Sequence, residues 1–212
     1  TLADALEPIT VEGLLQWRFE QFQGVGVIAA LHGNVTASEA EQLHRFINET
    51  IKPKSVVRQR TRVTELKETL RLDLAVDHDD STLLIYVQDP DNSFASRARS
   101  SLAGQLLRSA YFSSLRTDQQ LGYVVSAGAR RMDKRGGNLF LVQSPVASAK
   151  AVEEATMTFV QEYIDGWPNL SDAEFNQQKS GLINRLTESD KNLGERSQRY
   201  WRDIFDEHYT LY

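Results

Sequence analysis

Ser114-Leu115-Arg116-Thr117-Asp118-Gln119-Gln120-Leu121-Gly122-Tyr123-Val124-Val125 joins two stretches of different periodicity. Before it, Ala98, Leu102, Leu106 and Ala110 step by fours, the spacing of one side of a helix from about Phe94 to Leu115. After it, Leu121–Arg131 reads as a strand, with glycines at 122 and 128 that signal a bulge or a close backbone approach. Asp133–Gly137 is a turn and Asn138–Gln143 the returning strand of a hairpin, closed by Pro145. The stretch is therefore a helix-to-strand turn, with Arg116 and Tyr123 on either side of it. Loops held between rigid elements commonly carry binding residues.

Working outward, Leu83-Leu84-Ile85-Tyr86-Val87 is apolar on both faces and predicts a central strand. Asp89-Pro90-Asp91-Asn92-Ser93 ends it and caps the helix that follows. Leu66, Leu70, Leu72, Leu74 and Val76 alternate with polar residues and predict a half-buried strand, with Asp77-His78-Asp79-Asp80 as a hairpin turn after it. Val25–Leu31 predicts a further strand, ended by His32-Gly33-Asn34-Val35-Thr36. Thr36 and Glu39 form a capping box, and Ala40, Leu43, Ile47 and Ile51 mark one face of its helix. Apolar residues at 11, 14, 15, 19 and 22 give a helix within residues 1–23.

Three helices finish the chain. One spans about Ser148–Ile164, with Val152, Ala155, Phe159 and Tyr163 inward. One opens on the capping box Ser171 to Glu174, and the last holds Ser197, Tyr200, Trp201, Ile204 and Phe205. The order β-α-β-β-α-β-β-α-α-α predicts an α+β layered domain, a mostly antiparallel sheet with helices on one face.

The 212 residues, 41% hydrophobic and 25% charged, are ordinary globular material. A net charge of -5 argues against a nucleic-acid partner, and no apolar run reaches the ~18 residues of a membrane span. With no cysteine, disulfides and Cys-based zinc sites are excluded. The chain opens at Thr1 without a signal peptide and reads as a piece of something longer.

Gly24-Val25-Gly26-Val27-Ile28-Ala29 formally fits a dinucleotide fingerprint, but its glycines precede the predicted strand where they should follow one. Lys54, Arg58, Arg60 and Arg62 form either an anion patch or a solvated connection, and the acidic balance favours the second. His44 reads as a residue beside a helix stripe. There is no Gly-x-Ser-x-Gly elbow and no P-loop. No two of His32, His44, His78 and His208 lie close enough to share an ion on one helix. By residue chemistry alone this is an α+β domain with a candidate binding turn at 114–123. Arg116 could pair with Asp118 or cap the preceding helix, and Tyr123 could be strand core.

Leu-Arg-Thr-x-x-Gln-Leu-Gly-Tyr at 115–123, Ser-Ala-Gly-Ala-Arg-Arg at 126–131 and Leu-Val-Gln-Ser at 141–144 resemble the last domain of the pitrilysin and insulin-degrading-enzyme (M16, insulinase) family. Leu31-His32-Gly33-Asn34-Val35-Thr36 and Tyr200-Trp201 are similar in the same order. The resemblance implies an M16/LuxS-like α+β domain at 24–212, preceded at 1–23 by the tail helix of another domain. It implies a zinc metalloendopeptidase whose zinc and catalytic glutamate lie in an N-terminal half of the same chain, on an inverted His-x-x-Glu-His helix. The C-terminal half would be non-catalytic and close over peptide substrates, with Arg116 and Tyr123 reaching the bound peptide. No metal ligand or catalytic residue carries over to any residue here. The alternative is a catalytically inactive M16-like subunit used for structure, peptide binding or processing. For compartment, the resemblance suggests the bacterial periplasm, with the cytoplasm as alternative.

Overall fold

The computed structural model describes residues 2–55 and 62–205. The chain divides into two compact units, Thr61–Ser189 and the combination of Thr1–Arg60 with Asp190–Tyr212.

The first three helices of the chain are α1 (Leu2–Leu6), α2 (Val11–Phe22) and α3 (Ala37–Thr50). They belong to the second-named unit. Thr10 caps α2 by accepting from Gly13 N–H, and the predicted box at Thr36 and Glu39 is formed at α3. The same unit holds α7 (Leu193–Phe205), where His32 Nδ1 meets Ser197 Oγ at 2.7 Å and the imidazole packs edge-on to Tyr200. The apolar residues of α2 are exposed, Trp17 and Phe19 by more than half.

The other unit is built on β1 (Ser81–Gln88), β2 (Val124–Ala129) and β3 (Gly137–Ser144). The strands form an antiparallel sheet of order β1-β3-β2, so the β2–β3 hairpin is as predicted and β3 is central. Phe140 stands between Ile85 and Ala127, and Val142 between Leu83 and Val125. Alternation puts all six on one face. Against that face lie α4 (Phe94–Phe112), through Leu107 and Tyr111, and α5 (Ala149–Asp165), through Val152 and Thr156. Tyr111 is fully buried, packs edge-on to Phe140 and Phe159, and its phenol meets Thr156 Oγ1 at 2.9 Å. Gly104 lets α4 lie close on β2: a Cβ there would sit 2.4 Å from Ala129 N. A short 3₁₀ turn (Trp167–Asn169) leads to α6 (Asp172–Thr187), which opens on the predicted Ser171–Glu174 box. The α+β class and the helices on one face hold.

Several expectations fail. The run 83–87, predicted as a central strand, is β1 at an outer position of this three-stranded sheet, and Leu84 on its other face is exposed because the described helices cover one face only. Residues 25–31 and 66–76 are not strands, and 77–80 is consequently a bend entering β1, not a hairpin turn. Alternation makes a strand only where a neighbouring backbone completes the ladder. Among the described residues no such neighbour pairs with 66–76, and Leu70, Leu72, Leu74 and Val76 are each more than two-thirds exposed. The buried stripe of α4 is Ser96, Ser100, Gly104, Leu107 and Tyr111, small residues at the close approach and large ones beyond it. Ala98, Leu102, Leu106 and Ala110 are not that stripe.

Candidate functional site

The quoted stretch folds as a change of helical gauge. After Phe112 the helix loosens into a π turn, Ser113–Asp118, where Gln119 N–H donates to Ser114 O and Leu121 N–H to Leu115 O. Leu115 stays fully buried and anchors the turn. Gln120 then takes φ 53°, a left-handed conformation that costs a non-glycine residue on the order of 1 kcal/mol. π turns and strained residues recur at functional sites, where surrounding structure holds them.

Arg116 does not pair with Asp118. Its Nη1 crosses the turn to donate to Gly122 O at 2.9 Å, and its guanidinium lies 6.0 Å over the Phe112 ring. Gly122 is buried against β3; a Cβ would meet Gln143 O at 2.5 Å and Val142 Cγ1 at 2.9 Å. Tyr123 N–H donates to Gln143 O although Val124 is the residue paired with Gln143. Two residues thus face one, which is a β-bulge, and bulges re-aim side chains. Tyr123 is accordingly not strand core: it is 48% exposed.

The Tyr123 phenol donates to Asp80 Oδ2 at 2.6 Å, and Gln143 Nε2 donates to the same oxygen at 3.0 Å. The Tyr123 bond is the first reason that the Asp80 carboxyl lies below its ordinary pKa, with Gln143 and the nearby His78 adding to it. The same bond to an anion pushes the Tyr123 phenol above its ordinary value. Gln143 has the opposite parity to Val142, so this cluster lies on the sheet face away from the helices. Sequence reading missed Asp80 and Gln143 as partners of Tyr123. Asp80 stood out only as a turn residue, and nothing local marked Gln143. The arrangement presents a half-exposed phenol, held protonated, and a guanidinium beside it on the chain: two donors suited to peptide oxygens.

Among the described residues, no three of His, Asp and Glu converge as a metal site would require. His32 is engaged with Ser197, His44 with Asn48, and His78 accepts from Asp80 N–H. The described residues therefore do not fit a zinc ion. His208, Arg58 and Arg60 lie outside the described residues. No described helix is long and apolar enough to cross a membrane.

An α+β domain with a π turn feeding a bulged hairpin is the class that the geometry defines. A family model described as "PQQ synthase PqqF-like, C-terminal lobe domain 4" matches residues 102–201. "Insulin-degrading enzyme-like 1, peroxisomal" of Arabidopsis thaliana is 27% identical over 81% of this chain and 19% of its own length. "Protease 3" of Escherichia coli is 26% identical, over 94% of this chain and 21% of its own. Human insulin-degrading enzyme is 24% identical over 99% of this chain and 22% of its own. The crystal structure of pitrilysin superposes with a TM-score of 0.73 at 25% identity, covering 84% of this chain and 19% of that one. Together these support a C-terminal domain of an M16 insulinase-like protein. The chain spans about a fifth of the length of the curated relatives it matches.

Proposed function

We propose that this chain is the non-catalytic, C-terminal part of a zinc metalloendopeptidase, enclosing and positioning peptide substrates for hydrolysis at a site in the N-terminal half of the same protein. In this reading residues 1–23 are the tail of a preceding domain and 24–212 the final one. The observation that carries it is the Arg116–Gly122–Tyr123 turn, where π geometry, a left-handed Gln120 and a bulge expose a phenol that ordinary strand alternation would bury. The relatives named as proteases support the chemistry. Exposed apolar residues along α2 and 66–76 supply surface for packing against the rest of such a protein.

The roles follow from donor chemistry. The Arg116 fork binds a peptide carbonyl or carboxylate. The Tyr123 phenol donates to the oxygen on which negative charge develops as the peptide bond is attacked. Asp80 holds that phenol in place and protonated until substrate replaces it. Zinc, where the N-terminal half holds it, supplies Lewis-acid chemistry there and needs no ligand from this chain.

The test is Tyr123→Phe in the full-length protein, assayed on a short unstructured peptide. Loss of one oxyanion donor lowers kcat by roughly 10²-fold. Unchanged kcat, or a fall matched by unfolding, refutes the assignment. Enclosure is tested separately by comparing that peptide with a large stable protein, and equal cleavage rates refute it.

A further inference from the structure

β2 is an outer strand of its sheet, bonded among the described residues only to β3. Arg130 N–H donates to Gly137 O, which sets the phase of the ladder: even-numbered residues of β2 bond to β3. The backbone N–H and C=O of Val125 and Ala127 therefore point away from the sheet. Both residues are only 6% exposed, and these outward groups meet no hydrogen-bond partner among the described residues. Backbone polar groups shielded to this degree are nearly always paired in a working protein.

Beside them is a cavity of about 580 Å³, within the ~300–1,000 Å³ of ligand pockets. Its floor is the β2 edge, and its other wall is the outward side of α4 and the π turn: Arg108, Ser109, Phe112 and Ser113. Phe112 offers an apolar ring, 44% exposed, and the serines offer hydroxyls. The charged lining residues are Arg108 and Arg130, with no carboxylate among the lining and no ion pair to either among the described residues. Gly128 lets the Arg108 guanidinium lie over the strand: a Cβ there would be 3.2 Å from Nη2.

We infer that this groove docks an extended peptide carrying acidic side chains, which joins the sheet as a further strand along β2. Main-chain bonds to Val125 and Ala127 satisfy the shielded backbone groups, as in strand addition generally. Arg108 and Arg130 select carboxylate side chains, and Phe112 takes an apolar one. The groove ends at the π turn that carries Arg116, so a peptide lying in it runs towards the Arg116–Tyr123 turn. The inference rests on the reading of the parent as a peptide-handling protein. It names the sequence character that the parent prefers and adds a second place where peptide is held.

The experiment uses the full-length protein, a peptide alternating Glu and Val, and residue-resolved amide hydrogen exchange. Addition of the peptide should slow exchange at Val125 and Ala127 at least tenfold and leave Ser126 and Gly128, already bonded to β3, unchanged. Methylating alternate peptide nitrogens should abolish the effect in one phase and spare it in the other. Arg108→Glu with Arg130→Glu should weaken the acidic peptide at least tenfold and leave a neutral peptide within twofold. The groove is overturned by binding without protection at Val125 and Ala127, by indifference to the phase of methylation, or by protection that grows with protein concentration alone, which would mean a second copy. Lost hydrolysis in Tyr123→Phe without edge protection overturns the groove and leaves the proposed function standing. Edge protection with full activity in Tyr123→Phe does the reverse.

Discussion

Gly122→Ala tests whether the turn is held by close backbone packing. Gly122 does not have a positive φ, so alanine meets no conformational penalty there and the effect is purely steric. The added Cβ would lie 2.5 Å from Gln143 O and 2.9 Å from Val142 Cγ1. Neither neighbour can swing aside. Gln143 O is a backbone acceptor already bonded to Tyr123 N–H, and Val142 is fully buried. Overpacking of this kind costs about 1–3 kcal/mol. Local opening of the β2–β3 hairpin should then become about 5- to 150-fold easier, read as lost hydrogen-exchange protection in both strands. Because Gly122 O is also the acceptor for Arg116, peptide turnover in the full-length protein should fall with it. Gly181→Ala is the control: its Cβ meets Gln105 Nε2 at an ordinary 3.7 Å, and in the interior of α6 alanine should add up to about 1 kcal/mol. Protection in β2 and β3 within twofold of wild type for Gly122→Ala would refute the argument from close packing.

Tyr111→Phe removes the partner of the fully buried Thr156 hydroxyl and should destabilise the sheet unit by about 1–3 kcal/mol in chemical denaturation; Tyr111→Phe with Thr156→Val should recover much of that loss. The Asp80–Tyr123 tether has two pH limits. The Asp80 pKa is lowered by folding, so its stabilisation is full above the unfolded carboxylate pKa and is lost as pH falls through the folded value. The Tyr123 pKa is raised, so its contribution is full below the unfolded phenol pKa and is lost as pH rises through the folded value. Asp80→Asn should bring the phenol back towards its ordinary pKa, seen by ultraviolet titration against Tyr123→Phe; an unmoved phenol would sink the tether. Asp91 is held down to about 2, chiefly by Ser93 at the start of α4. Its contribution should therefore persist above the ordinary carboxylate pKa and disappear as pH falls towards about 2, and Asp91→Asn should flatten that acid limb in amide exchange of the first turn.

Local chemistry determined much of this protein. The capping boxes at Thr36 and Ser171, the cap at Ser93 and the helices they start depend on contacts three residues apart, so sequence shows them directly. The β2–β3 hairpin was equally legible, because turn residues and side-chain period specify a neighbour close along the chain; the apolar run of β1 showed a strand but not its outer place in the sheet. The motif around Arg116 and Tyr123 marked where to look. Tertiary structure decided the rest. Among the described residues no backbone pairs with the alternating leucines of 66–76, and no count of periodicity shows whether a partner strand is there. Asp80, Gln143 and Tyr123 meet only because β1 and β2 both flank β3. The exposure of Tyr123 depends on a bulge and on one buried glycine, and the outer position of β2 among the described strands depends on their order. Each is a long-range backbone arrangement, fixed by which surfaces pack together and not by the residues next in line.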